Sequence, residues 1–306
     1  MKISRRDVLT AGVFGGLATL GASGVLRADD DTNDFQLVEL NVPIKDLPSA
    51  FEGYRIGFLT DTHLGIYVPT DWIDQSVGML KAAGVDLLIL GGDYIWLPDR
   101  DAAEKFYPIR NRRFLRAKDD MGVSREIFAT MADVSAQLQP RDGSFGVLGN
   151  HDHWTNPAAC VEEFGKKDIR ILVNEKILIS RGEQTLTVIG VDDYWTGIPK
   201  MPQLSDRGAG KEARVLISHN PDYVSELLRT GLPDLDFSLS GHTHGGQVKW
   251  PLIGALHYNI EDLRFREGFY RDKGLTSYTS RGIGVVEVPF RLNCPPEISL
   301  FTLTRA

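Results

Sequence analysis

From residue 54 onward the chain repeats one unit: a short apolar run, a glycine or small polar cluster, then a stretch with apolar positions three or four residues apart. The runs are too short for helices and rich in Ile, Leu, Val and Phe, so they read as strands buried on both faces. This pattern predicts strands over 54–59, 85–90, 145–148, 170–173, 176–179, 186–189, 213–217 and 235–239. Helical spacing falls between several of them. Residues 71–83 place Ile73, Val77 and Leu80 on one face, 124–138 do the same with Ile127, Met131, Val134 and Leu138, and 221–229 give a third helix. Past residue 275 only short strands are expected, around Gly282, Gly284 and the Pro295-Pro296 turn. Strand–helix alternation followed by strand pairs predicts two sheets packed on each other with helices outside.

Composition adds little to that picture. A length of 306 residues with 42% hydrophobic and 25% charged content is ordinary for a globular protein and supplies one sizeable core. No repeat or low-complexity tract divides the chain, so residues 29–306 are expected to form one domain. A net charge of −7 argues against a general nucleic-acid binder. The amino terminus stands apart. Arg5-Arg6-Asp7-Val8-Leu9 precedes an apolar stretch broken by Gly12, Gly15, Gly16, Gly21 and Gly24, which fits a twin-arginine signal over residues 1–28, with Val8 where an aromatic is usual. Export by the twin-arginine machinery to the periplasm or cell envelope is the expectation. The stretch is too short and too glycine-rich to span a bilayer well. Removal of 1–28 takes away a net +3 and leaves −10. Cys160 and Cys294 share no Cys-x-x-Cys spacing and are expected as two isolated thiols.

The chemistry lies where the apolar runs stop. Five of them lead into Asp, Asn or His clusters: Asp61-Thr62-His63, Gly91-Gly92-Asp93, Gly149-Asn150-His151-Asp152, Ser218-His219-Asn220 and Gly241-His242-Thr243-His244-Gly245-Gly246. Oxygen and imidazole ligands delivered from the carboxyl ends of several strands are how an α/β protein assembles a metal centre. Asp61 and His63 are one residue apart, and a strand period of two would point both at one cation. Asp93 follows two glycines and has the oxygens to bridge two metals. Asn150 offers an uncharged donor beside a shared carboxylate; His219, His242 and His244 complete the set. His151 is assigned a catalytic role, with Asp152 accepting its ring N–H and fixing its orientation. Seven histidines occur and five fall inside these clusters, where chance would scatter them.

Taken in order, these motifs resemble those of the calcineurin-like metallophosphoesterases, over residues 56–246. The string from Gly241 to Gln247, with Asn293-Cys294-Pro295-Pro296-Glu297-Ile298, is most similar to an exported bacterial phosphodiesterase branch. The resemblance implies a four-layer αββα sandwich of two mixed sheets and a dinuclear centre. One metal would take Asp61, His63, Asp93 and His244; the other would take Asp93, Asn150, His219 and His242.

Two divalent ions, with Mn, Fe, Co and Zn all compatible, would acidify a bridging water to the hydroxide that attacks a phosphodiester, with His151 serving the departing oxygen. A nucleotide-sugar lipid pyrophosphatase is the alternative substrate class, and a protein phosphatase a weaker one. A non-catalytic metal-binding module is the rival class, although it would be expected to have lost Asn150, His151 or Asp93. The segment 94–123 gathers Trp96, Phe106, Tyr107 and Phe114 with Arg110, Arg112, Arg113, Arg116 and Lys118, and is expected to form a flap selecting an anionic envelope polymer or a lipid headgroup. Trp250, His257 and Tyr258 are candidates for the cleft wall.

Overall fold

A computed structural model of the chain describes residues 31–97, 121–208, 210–231 and 233–306. The signal segment 1–28 and all of the expected flap between 98 and 120 lie outside the described residues. Two six-stranded sheets face each other. The first runs β1 (Gln36–Ile44), β16 (Glu297–Arg305), β2 (Arg55–Leu59), β4 (Leu87–Leu90), β6 (Ser144–Gly146) and β7 (Ile169–Ile171). The second runs β14 (Gly268–Asp272), β15 (Leu275–Thr279), β11 (Phe237–Ser240), β10 (Glu212–Ile217), β9 (Gln184–Gly190) and β8 (Glu175–Arg181). Both are mixed: β2, β4, β6 and β7 are parallel, as are β9, β10, β11 and β15, with antiparallel pairings at β16–β2, β8–β9 and β14–β15.

The apolar runs explain the layering. In β4, Leu87 and Ile89 enter the core between the sheets while Leu88 and Leu90 face the outer helices. In β10, Val215 and Ile217 point inward and Leu216 outward. Against the first sheet lie α1 (Thr70–Ala83), α2 (Met121–Ala136) and α4 (Pro157–Gly165), through Ile73, Val77, Leu80, Ile127, Phe128 and Phe164. Against the second lies α5 (Asp222–Thr230), through Val224, Leu227 and Leu228. Each such side chain contributes about 1.5–3 kcal/mol on burial. The result is the expected four-layer αββα sandwich. Helix α1 ends where the spacing predicts: Gly84 takes φ 77° and returns its N–H to the Leu80 carbonyl.

Three things differ from the sequence expectation. The strand β1 goes unanticipated because its side chains are mostly half-buried or exposed. Past residue 275 the short β15 is followed by one nine-residue strand, β16, where only short pieces were expected, and β16 pairs along its whole length with β1 in parallel. Residues 94–97, expected to open the flap, belong to the body of the domain: Tyr94 is buried, its hydroxyl donates to the Leu90 and Val147 carbonyls, and β5 (Ile95–Trp96) pairs with β3 (Leu64–Gly65). Among the described residues no helix is long and apolar enough to cross a membrane.

Candidate metal centre

The loops after β2, β4, β6, β10 and β11 converge at one end of the two sheets, and they carry all five polar clusters. The backbone there is unusual. Asp61, His63, Asp93, His242 and His244 all have positive φ, between 46° and 69°. That left-handed region is sparsely populated by non-glycine residues, and strain of this kind collects at functional sites. It also corrects the period-of-two argument for Asp61 and His63: both lie in left-handed turns, where strand alternation does not apply. They meet because the segment stays tethered to the neighbouring loop, Asp61 N–H donating to the Gly92 carbonyl at 3.0 Å and His63 N–H to that of Asp93 at 3.0 Å.

Two groups of ligand atoms form, Asp61 with His63 and His244, and Asp93 with His219 and His242, and a third, of His63, Asp93 and His151, overlaps both. Asp93 stands between them: its Oδ2 is 3.6 Å from His63 Nε2 and 3.3 Å from His219 Nε2. Close approach needs glycine at the contacts, since a Cβ at Gly241 would lie 2.2 Å from Asp61 Oδ2 and one at Gly149 would lie 2.2 Å from Asp93 Oδ1. The Asp61 carboxylate accepts from His242 N–H at 2.9 and 3.0 Å, which ties two loops together.

The protein atoms leave donors that fit cations. Asn150 Oδ1 is buried and accepts no hydrogen bond, while His63 Nε2 and His244 Nε2 face each other at 2.9 Å. Outer contacts fix which ring nitrogen is free. His219 Nδ1 is 2.8 Å from the Gly91 carbonyl and His242 Nε2 is 2.9 Å from that of Asn259, so Nε2 and Nδ1 respectively are left to ligate. Charge states agree with a ligand role for three of the four imidazoles. Burial lowers His63 and His242 to about 3 and His244 well below its ordinary value, keeping three imidazoles neutral. Burial alone would raise Asp93 and lower His219, but their mutual attraction outweighs it, holding Asp93 anionic and raising His219 well above its ordinary value, so a cation at His219 Nε2 would displace a proton.

His151 is half-buried and lines the cleft, its ring edge-on to His63 at 4.8 Å and against Trp154 at 4.8 Å. Its backbone N–H, not its ring, donates to Asp93 Oδ1 at 2.8 Å. Asp152 does not take the part expected of it. Its carboxylate accepts the backbone N–H groups of Asp93, Tyr94 and Gly149, each at 2.9 Å, so it braces the loop of Asp93 and leaves the His151 ring alone. Adjacent residues at the start of α3 (Asn150–Thr155) point in different directions, which separates the two side chains.

A cleft of about 550 Å³ opens over the centre, with Trp96, Trp154, Trp195, His257, Asn259 and Glu287 in its wall. His257 therefore lies where it was expected, whereas Tyr258 packs beside Gly246 and Trp250 belongs to a neighbouring hairpin. Sequence reading missed Trp195, whose ring meets His242 at 4.4 Å on a loop wound around Asp193, which accepts from Trp195 N–H at 3.0 Å and Thr196 N–H at 2.8 Å. It also missed Arg291, fully buried, which donates to the Gly284 and Arg281 carbonyls and reaches within 3.4 Å of His244 Nδ1. Nothing in its Arg-Leu-Asn surroundings marks it out. Cys160 and Cys294 are both free and buried.

Comparison with known proteins gives one answer. The profile of the calcineurin-like phosphoesterase family matches residues 54–246. The chain is 30% identical over 253 residues to phosphodiesterase YaeI of Escherichia coli, covering 82% of each chain. It is 25% identical over 314 residues to the uncharacterized metallophosphoesterase YkuE of Bacillus subtilis, covering 99% of this chain and 98% of that one. Among solved structures, a dimetal phosphatase from Danio rerio aligns with a TM-score of 0.45 at 13% identity, over 76% of this chain and 88% of that chain.

Proposed function

The chain belongs to the calcineurin-like phosphoesterase family, and from that premise we propose that it is a metal-dependent phosphodiesterase with a dinuclear centre. The observation that carries the reading is Asp93, whose one oxygen lies within 3.6 Å of His63 and 3.3 Å of His219 and so stands between the two sets of ligands. Asp61, His63 and His244 would hold one cation beside it; Asn150, His219 and His242 would hold the other. Bound there, two divalent ions would supply Lewis acidity toward phosphoryl oxygens and lower the pKa of water.

The chain's own residues do the rest. His151 lines the cleft beside the Asp93 junction, where its ring can hydrogen-bond the departing oxygen. Burial lowers its pKa, so near neutral pH it is a neutral ring with one N–H. Asp152 positions Asp93 through three backbone N–H groups. Trp154 and Trp195 give the cleft apolar walls that can hold the ester's organic groups. An envelope location is part of the proposal and rests on the paired arginines Arg5 and Arg6.

The test is a hydrolysis panel of chromogenic diesters, monoesters and nucleotide-sugar pyrophosphates with protein loaded in turn with Mn, Fe, Co and Zn. Diesters should turn over fastest. His151→Ala should keep its metal and lose most on diesters whose leaving groups have high pKa; equal losses across leaving groups would contradict its role. Preference for the pyrophosphate would favour the nucleotide-sugar alternative.

A further inference from the structure

The chain leaves the His244 motif through a small hairpin of β12 (Lys249–Trp250) and β13 (Gly254–Ala255), then returns to the cleft wall at His257 and Asn259. Its base is held firmly. Asn293 Nδ2 donates to the Lys249 carbonyl at 2.7 Å, and a Cβ on Gly246 would lie 2.3 Å from Ala255 Cβ. Its tip is apolar and bare, Leu252 fully exposed and Ile253 72%, and Leu256, just past β13, is 63% exposed. Exposed aliphatics scattered singly need no explanation, but three within five residues, two on the turn and one just past a hairpin rooted in the cleft, form a patch. Trp154 and Trp195, both exposed, line the same cleft.

We infer that this tip inserts into the surface of a lipid bilayer and presents the cleft to phosphodiesters held in membrane lipids. The inference rests on the phosphodiesterase reading and names its substrate class. The size of the patch decides the occupant. A stable protein interface buries about 800 Å² on each side, more than three side chains on a two-stranded turn can offer. A bilayer asks less, since each aliphatic side chain taken into hydrocarbon strengthens partitioning about tenfold, and tryptophans favour the headgroup level. Charge indicates how the tip binds. The chain carries −7, and the hairpin's one lysine, Lys249, is paired with Glu267 at 2.5 Å, so the attraction is apolar and does not depend on anionic lipid.

Full-length protein with Ile253→Cys, labelled by a nitrobenzoxadiazole probe, tests the insertion at the tip itself. Cys160 and Cys294 are fully buried, so the label reports residue 253, whatever the amino-terminal segment does. Phosphatidylcholine vesicles should raise and blue-shift its emission, lipid-borne nitroxides should quench it, and about 1 M salt should leave both effects intact. Emission indifferent to vesicles overturns the inference even if the chain floats with them. Catalysis supplies a second arm. Leu252→Ser with Ile253→Ser and Leu256→Ser should lose at least about tenfold against phosphatidylglycerol displayed in vesicles and keep its rate on a soluble chromogenic diester. Equal loss on both substrates, or an unaltered protein that cleaves the soluble diester but neither vesicle lipid, overturns the substrate class. An unaltered protein that cleaves no diester at all defeats the phosphodiesterase reading, while the label still reports on insertion.

Discussion

A single methyl group at Gly149 should disturb the metal centre without replacing any ligand residue. Gly149 has φ −105° and ψ 177°, ordinary extended backbone, so alanine brings no conformational strain. A Cβ there would lie 2.2 Å from Asp93 Oδ1, 2.5 Å from Asp93 N and 2.8 Å from Asp93 Cγ. Comfortable carbon contacts begin near 3.5 Å, so the carboxylate or the first turn of α3 must move by roughly 1 Å. Overpacking of that kind costs about 1–3 kcal/mol, a fall in Tm of about 2–5 °C for a chain this size. Metal–ligand distances tolerate only about 0.2 Å, and misplacement by about 1 Å typically costs on the order of a hundredfold in rate. Gly149→Ala should therefore bind much less than its full metal complement by plasma mass spectrometry and lose about a hundredfold in diester turnover. Gly78→Ala is the control: it lies within α1 with nothing within 4 Å of its Cβ, and should stabilise by about 0.5–1 kcal/mol. Full metal content and full activity in Gly149→Ala would refute the claim that the spacing of these two loops sets the shared ligand.

Two further substitutions separate bracing from catalysis. Asp152→Ala strands three buried N–H groups, each costing about 1–3 kcal/mol, so thermal unfolding should shift down sharply and metal should be lost with it. A variant as stable and metal-rich as the parent, but slow only on poor leaving groups, would restore Asp152 to a role on His151. Asp142 tests the contact between the sheets, accepting from Tyr54 Oη at 2.7 Å and from Arg181 Nη2 at 2.6 and 2.5 Å. Burial alone would raise its pKa, but those hydrogen bonds outweigh it and hold the carboxyl below its ordinary value. A carboxyl depressed in the folded state stabilises above the unfolded value of about 3.9 and loses that contribution as pH falls below it. Asp142→Asn should thus cost about 1–2 kcal/mol at pH 7, with the gap to the parent closing below about pH 4; a gap independent of pH would mean that the charge is not what matters.

Much of this was written in the sequence at the level of elements. Strands such as β4 and β10 are legible because both faces are buried and the run is unbroken, and helix α1 because its apolar spacing ends at a glycine. The strand β1 was not, since its half-exposed positions look like a loop, and its partner β16 lies at the other end of the chain. Pairing between the two ends of a domain leaves no local signal.

The site divides along a different line. Its members were legible because Asp, Asn and His at the mouths of buried strands have few other reasons to recur; their geometry was not, because five of them leave the strand conformation altogether. Those facts have one physical root. Asp, Asn and His are the non-glycine residues most tolerant of left-handed backbone, and they also carry the oxygen and imidazole donors that divalent metals take. A loop that must turn sharply at a strand end and offer a ligand there is therefore met by the same few residue types on both counts. Strand alternation fails at Asp61 and His63 for this reason, yet the two still meet: the turn at each residue, not the pleat, aims the side chain, and hydrogen bonds to Gly92 and Asp93 set where each turn falls. What holds the centre together is thus the register between loops, with Gly149 and Gly241 packed against its two carboxylates and Asp152 fastening three backbone N–H groups.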